Sequence, residues 1–198
     1  RAMFQEYLNH VIAHAERNQR EFALLFLDVD DFKRINDTLG HETGDHLLQE
    51  VTGRLAGCLR DADYVARMGG LVEPDEFLAR LGGDEFVVLL CDLEDMEQLD
   101  TALQRLLGTA GRPYRLGKLT LSLSASIGVT IYPWDETNTD AMLRHADQAM
   151  YVAKQTGRNR YCLFDIGRDR EAYERQRRQE RLWQALEQDE FVLHYQPR

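Results

Sequence analysis

Cysteine is scarce in this chain. Cys58, Cys91 and Cys162 lie far apart, form no Cys-x-x-Cys pair and leave an odd number, which favours core thiols in a reducing compartment over a disulfide framework. Basic residues are in deficit as well: 24 Lys and Arg against 34 Asp and Glu give a formal net charge of -10. That balance argues against DNA or RNA as the main partner, because nucleic-acid binders gather basic surface, so any anionic ligand must be held locally. Long apolar runs are missing. None approaches the roughly 20 residues of a membrane span, and the first residues do not read as a signal peptide. What is present is an ordinary apolar content of 43% over 198 residues, enough to bury the core of one soluble domain with an appendage. The chain begins on Arg1 and stops at Gln196-Pro197-Arg198 just after a strand-like run, which reads as a segment cut from something longer.

Periodicity places the elements. Phe4, Tyr7, Leu8, Val11, Ile12 and Ala15 share one helical face, while His10 and His14 stand at metal-ligand spacing without an acidic partner and read as solvated surface. Phe22 to Leu27 is a continuous apolar run, as in a strand buried on both faces. Leu47, Leu48, Val51, Leu55 and Leu59 form a helical stripe. Asp95 is a predicted N-cap for a helix through Leu99, Leu103 and Leu106 ending near Gly108, Leu119 to Tyr132 a predicted long strand, and Thr139 or Asp140 the start of a last core helix.

The apolar run ends abruptly at Asp28-Val29-Asp30-Asp31, and the carboxyl end of a central strand is where ligand sites of open α/β sheets form. Asp28 and Asp30, two apart, fall on the same side of an extended strand; like charges held close need a counter-ion, and a divalent cation supplies one. Lys33 follows one turn later, where a metal-bridged phosphate would sit. Asn36 offers a donor and an acceptor to a nucleobase edge, and Asp45 accepts from the N1 and N2 hydrogens of guanine. Helix capping is the alternative for Asp45.

Two strand-like runs, Phe77 to Leu81 and Phe86 to Leu90, flank Gly82-Gly83-Asp84-Glu85, a β-hairpin in sequence. Glycine permits positive φ and brings backbone close to a ligand. Taken alone, the acidic turn reads as solvated surface; the partners elsewhere in the chain give it a chemical role.

Asp28-Val29-Asp30-Asp31-Phe32-Lys33-Arg34-Ile35-Asn36-Asp37, then Gly40-His41-Glu42-Thr43-Gly44-Asp45, then Gly82-Gly83-Asp84-Glu85-Phe86 resembles the GGDEF family of bacterial diguanylate cyclase domains. Ala146 to Arg160 is similar to that family's last helix and turn, so the resemblance covers roughly Arg1 to Phe164. It implies an α/β fold of the α+β kind, a central, mostly antiparallel sheet flanked by helices like a nucleotidyl cyclase or polymerase palm. One place departs from the pattern. Ala66-Arg67-Met68-Gly69-Gly70 is echoed by Ala79-Arg80-Leu81-Gly82-Gly83, an offset of 82 − 69 = 13, so a local duplication lengthens the approach to the hairpin. Pro74-Asp75-Glu76-Phe77 reads as a decoy, because its glycines are missing and proline disrupts strand pairing.

The resemblance implies a function. Two GTP molecules, one per domain of a face-to-face homodimer, would be joined into cyclic di-GMP with loss of two pyrophosphates. Asp28, Asp84 and the Val29 carbonyl would hold Mg²⁺, or Mn²⁺ in its place. Lys33, Lys154 and Arg158 would neutralise the phosphates, with Lys154 and Arg158 as plain helix-end cations the alternative. Asn36 and Asp45 would select guanine, Phe32, Gly82 and Gly83 would adjoin the nucleotide, and Glu85 would take a further acidic role, metal or base. The family's product-inhibition pair falls on Arg60 and Asp63, with a surface ion pair the alternative. The rival function is a catalytically silent GTP-binding module that regulates an attached domain. Residues 1–166 are thus expected to form the GGDEF domain. Residues 167–198, strongly charged and ending in Glu190 to Pro197, resemble a linker helix and the first strand of an EAL phosphodiesterase domain. Such a protein is expected in the cytoplasm, alone or within a membrane-anchored sensor, with no membrane contact by this segment and no nucleic-acid polymer as partner.

Overall fold

The computed structural model describes residues 2–60, 76–117, 119–135 and 138–165. In chain order the elements are α1 (Ala2–Asn18), β1 (Glu21–Val29), α2 (Phe32–Leu39), α3 (His41–Arg60), β2 (Glu76–Gly82), β3 (Glu85–Leu93) and α4 (Met96–Ala110). They continue with β4 (Tyr114–Leu116), β5 (Leu119–Leu121), β6 (Ala125–Tyr132), α5 (Thr139–Gln155) and β7 (Arg160–Leu163). Five strands form one sheet in the order β2-β3-β1-β6-β7. Only the β6–β7 pairing is parallel, so the expected mostly antiparallel sheet is what the chain builds.

β1 is the middle strand and is buried on both faces, which explains its unbroken apolar run. The period of two sorts its side chains. Ala23, Leu25, Leu27 and Val29 pack with Leu47, Leu48, Val51 and Leu55 of α3 and Leu99, Leu103 and Leu106 of α4. Phe22, Leu24 and Phe26 pack with Phe4, Leu8 and Val11 of α1 and Met142, Ala146 and Met150 of α5. Asp28 continues the second set, and so meets α5.

The hairpin, the Asp95 cap and the start of α5 agree with the sequence. Asp95 accepts from Gln98 N at 2.8 Å, and Asn138 caps α5 by accepting from Asp140 N and Ala141 N. α4 runs to Ala110, past Gly108. His10 and His14 are exposed on α1.

Two expectations need correction. Leu119 to Tyr132 is not one strand: β5 pairs with β4 in a separate two-stranded sheet, and only Ala125–Tyr132 joins the main sheet. The break comes where Ser124 turns to β1, its carbonyl accepting from Asp30 N at 2.9 Å. Asp45 is no cap, because α3 already starts at His41. The expected linker and EAL strand, Asp63, the first Gly-Gly pair and Pro74-Asp75 lie outside the described residues, and Arg60 is described only as the last backbone position of α3.

Candidate active site

The site lies where β1 ends. Its floor is the Asp28-Val29 pair, and three other parts of the chain close on it.

The hairpin tip comes from one side. Gly83 has φ 53, the left-handed region that glycine enters freely, and Arg80 Nε donates to its carbonyl at 2.8 Å. The tip docks directly on β1, since Val29 N donates to Asp84 O at 3.3 Å. Glu85 stands opposite Asp28 in the β1–β3 register. The Asp84 backbone is thus seated on β1 with the duplicated sequence before it.

From the α5 face comes Lys154, whose Nζ is 2.7 Å from Asp28 Oδ2. Asp28 is buried, with 6% of its surface exposed. Burial pushes its carboxyl up to about 6, against the pull of Lys154, and the Asp84 and Asp30 carboxylates add to the rise. Beyond Lys154 the chain turns, and Arg158 Nη2 lies 4.0 Å from Asp31 Oδ1, both side chains half exposed.

The third part is the α2–α3 corner. Phe32 is buried at the start of α2, while Lys33 is exposed on it and Asp45 exposed on α3. Asn36 and Gly44 are in intimate contact: a Cβ added to Gly44 would lie 1.8 Å from Asn36 Oδ1. Asn36 Oδ1 is buried with no hydrogen-bond partner, a cost the fold accepts at a residue expected to face a base.

Asp30 departs from its expected role. It is 3% exposed, and both of its oxygens are taken. Ser126 Oγ donates to Oδ1 at 2.7 Å, and Ser124 Oγ and Asn159 N donate to Oδ2 at 2.5 and 3.2 Å. Sharing a strand side with Asp28 does not make it a cation ligand. No local signal announces this, since the two serines and Asn159 are 94, 96 and 129 residues away in sequence.

The donor set suits a hard cation. Among the described residues no group of three or more acids, histidines or cysteines surrounds one point. Asp28 and Asp84 with one backbone carbonyl would make only a partial set, of the kind that suits Mg²⁺ where substrate phosphates complete the shell. Burial foremost, with the Asp84 and Asp30 carboxylates behind it, raises the Asp28 carboxyl despite Lys154, and perturbed carboxyls of this kind gather at functional sites.

Similar proteins point the same way. The family model described as "Diguanylate cyclase, GGDEF domain" matches residues 1–71 and 71–160. The match divides directly after the first Gly-Gly pair, where the duplication begins. The bifunctional diguanylate cyclase/cyclic di-GMP phosphodiesterase MucR of Pseudomonas aeruginosa is 38% identical over 198 residues, all of this chain and 27% of that protein. The cyclic di-GMP phosphodiesterase PdeR of Escherichia coli is 35% identical over 198 residues, all of this chain and 28% of that protein. The chain thus spans about a quarter of these relatives' length. A solved GGDEF domain of TpbB from Pseudomonas aeruginosa superposes with TM-score 0.74 at 34% identity, over 84% of this chain and 90% of that one. With the family model covering most of its length and its motif residues gathered at one end of the sheet, this chain belongs to the GGDEF family.

Proposed function

We propose that this domain is a diguanylate cyclase, condensing two GTP molecules into cyclic di-GMP and two pyrophosphates across a homodimer in which each domain holds one GTP. The observation that carries the reading is the convergence of Asp28, Asp84, Lys154 and Arg158 at the end of β1, with Asn36 beside Gly44-Asp45 at the neighbouring corner. In each step the 3′-hydroxyl oxygen of one GTP forms a bond to the α-phosphorus of the other. The bond to the pyrophosphate oxygen breaks, and the hydroxyl proton leaves to a base. Such in-line transfer is catalysed by positioning and charge neutralisation.

The residues divide that work. Asn36 and Asp45 hold the guanine edge and set specificity; Phe32, Gly82 and Gly83 adjoin the nucleotide. Lys33, Lys154 and Arg158 neutralise the β- and γ-phosphates. Glu85, opposite Asp28 in the register, would accept the hydroxyl proton or join the metal set. Asp28, Asp84 and the Val29 carbonyl would hold Mg²⁺, or Mn²⁺ in its place; when bound, the ion polarises the phosphates and lowers the pKa of the attacking hydroxyl. Arg60 and Asp63 are the pair that would bind product and inhibit.

The resemblance of residues 167–198 to a linker and EAL strand, and the bifunctional relative MucR, support a GGDEF–EAL signalling protein as the whole. The described residues include no helix long and apolar enough to cross a membrane, and the nucleotide chemistry fits a cytoplasmic domain. A second reading has its own support: a phosphodiesterase relative such as PdeR matches over the whole chain, which suits a silent GTP-binding module that regulates an EAL domain.

The test is incubation at high protein concentration with GTP and Mg²⁺, beside Asp84→Ala. Cyclic di-GMP and pyrophosphate that vanish in the variant are the expected result. GTP binding without product, even after forced dimerisation, would replace the cyclase with the regulatory module.

A further inference from the structure

We propose that Asp30 is a positioning residue whose carboxylate, bridging Ser124, Ser126 and the Asn159 amide, fixes the α5–β7 turn so that Arg158 meets the nucleotide's phosphates. The inference rests on the phosphate role given to Arg158 above.

The Arg158 side chain has little else to hold it, although the Arg158 carbonyl accepts from Arg160 Nε at 3.1 Å. Its contact with Asp31 is 4.0 Å long between half-exposed side chains, and such pairs contribute little. Its backbone is costly: Arg158 and Asn159 have φ 57 and 48, consecutive non-glycine residues in the left-handed region, after Gly157 at φ 124. Conformations of this kind persist only where the surroundings enforce them.

Asp30 supplies the enforcement. The Asn159 N–H, which the left-handed pair turns toward β1, donates to Asp30 Oδ2 at 3.2 Å, and two serine hydroxyls complete the carboxylate's partners. Hydrogen bonds to a buried carboxylate are the strong kind. A second strap closes the same loop from the other end, where Arg158 N donates to Ala153 O at 3.0 Å. The three acids at the end of β1 thus grip one segment at successive points: Asp28 takes Lys154, Asp30 the Asn159 backbone, and Asp31 Arg158. Only the middle grip is independent of long flexible side chains.

The test compares GTP with GMP binding by calorimetry in Mg²⁺, because the affinity ratio isolates the β- and γ-phosphates. GMP affinity reports that the variant is folded and the base site intact. Arg158→Ala lowers the ratio, and Asp30→Ala lowers it roughly tenfold, the size expected for losing a charge-assisted hydrogen bond. Adding Asp30→Ala to Arg158→Ala lowers it no further. Asp30→Asn recovers most of the ratio, since its amide can accept from Asn159 N–H and donate to a serine hydroxyl. Ser124→Ala, a milder change at a half-buried position, shifts the ratio in the same direction and replaces Asp30→Ala if that variant does not fold. A wild-type ratio near one, or one that Arg158→Ala leaves alone, overturns the phosphate reading and the inference with it. A loss in Arg158→Ala that Asp30→Ala and Ser124→Ala do not share overturns the inference alone. So does an Asp30→Asn variant as weak as Asp30→Ala with a reduced Mg²⁺ dependence, which would make Asp30 a metal ligand.

Discussion

The Lys154 ammonium and the buried Asp28 carboxylate face each other at 2.7 Å across the end of β1, yet Asp28 titrates near 6 rather than low. An ion pair this short ordinarily pulls a carboxyl down. Here the cost of burial exceeds the pull, and the Asp84 and Asp30 carboxylates add to the rise. Lys154 stands where more positive charge is needed.

A pH dependence follows from that balance. Asp28 keeps its proton up to about pH 6 in the folded chain but only to 3.8 when unfolded. Between those values the folded state holds more protons, so stability falls as pH rises through the interval and levels off above it. Asp28→Asn should flatten this part of the profile and stabilise the domain at pH 7 by about 1–3 kcal/mol. Urea unfolding of both proteins from pH 3.5 to 7.5 measures it. The same proton competes with a cation, so the Mg²⁺ needed for GTP binding should rise about tenfold per pH unit below 6. A Mg²⁺ requirement flat from pH 5 to 7 would remove Asp28 from the metal site.

Gly44→Ala sets two effects against each other. Gly44 lies inside α3, where alanine is favoured by about 1 kcal/mol. The added Cβ, however, would lie 1.8 Å from Asn36 Oδ1 and 3.1 Å from Phe32 Cζ, so the amide must swing away. The expected result is a reduced GTP-over-ATP binding preference that Gly44→Ala does not lower further once Asn36→Ala is present. An unchanged preference in Gly44→Ala would mean that Asn36 does not read the base from this position.

Asn36→Ala itself separates function from stability. Its Oδ1 is a buried acceptor without a partner, and such a group costs about 1–3 kcal/mol. The variant should melt no lower than wild type while losing discrimination of GTP from ATP; Asp45→Ala, at an exposed position, should lose discrimination with its melting temperature unchanged. Thermal melts beside competition binding decide. A destabilised Asn36→Ala with intact discrimination would make Asn36 a structural residue.

Sequence reasoning reached what depends on near neighbours and failed where partners are remote. The β1 run, the Gly83 turn and the Asp95 cap are each specified within a few residues, by burial on two faces, positive φ and a bond to Gln98 N. Asp30 could not be read that way. A period of two puts it on the side of Asp28, but its three donors come from β6 and the α5–β7 turn. For the same reason Ser124 passed as one of the alternating polar residues of a long strand, when its carbonyl accepts from Asp30 N just past β1, before β6 begins. The contact of Gly44 with Asn36 is likewise a matter of how α2 and α3 cross.

The placement of Lys154 and Arg158 depends finally on how closely α5 lies on the sheet, and Gly128 sets that distance. A Cβ at Gly128 would fall 1.9 Å from Ala146 O and 2.0 Å from Met150 N. Those are helix backbone atoms, which no side-chain rotation can move aside. Gly128→Ala must therefore lift α5 from β6, opening the buried layer formed by Met142, Ala146 and Met150. The expected cost is about 3 kcal/mol or more, at the upper end of overpacking effects, and a melting temperature lower by roughly 10 °C for a domain of this size. Gly53→Ala is the control. It is exposed on α3 with nothing within 4 Å of its Cβ position, so it should stabilise by about 0.5–1 kcal/mol. If Gly128→Ala melts within a degree or two of wild type, α5 is not held at backbone distance, and the Lys154–Asp28 pair loses the packing that positions it.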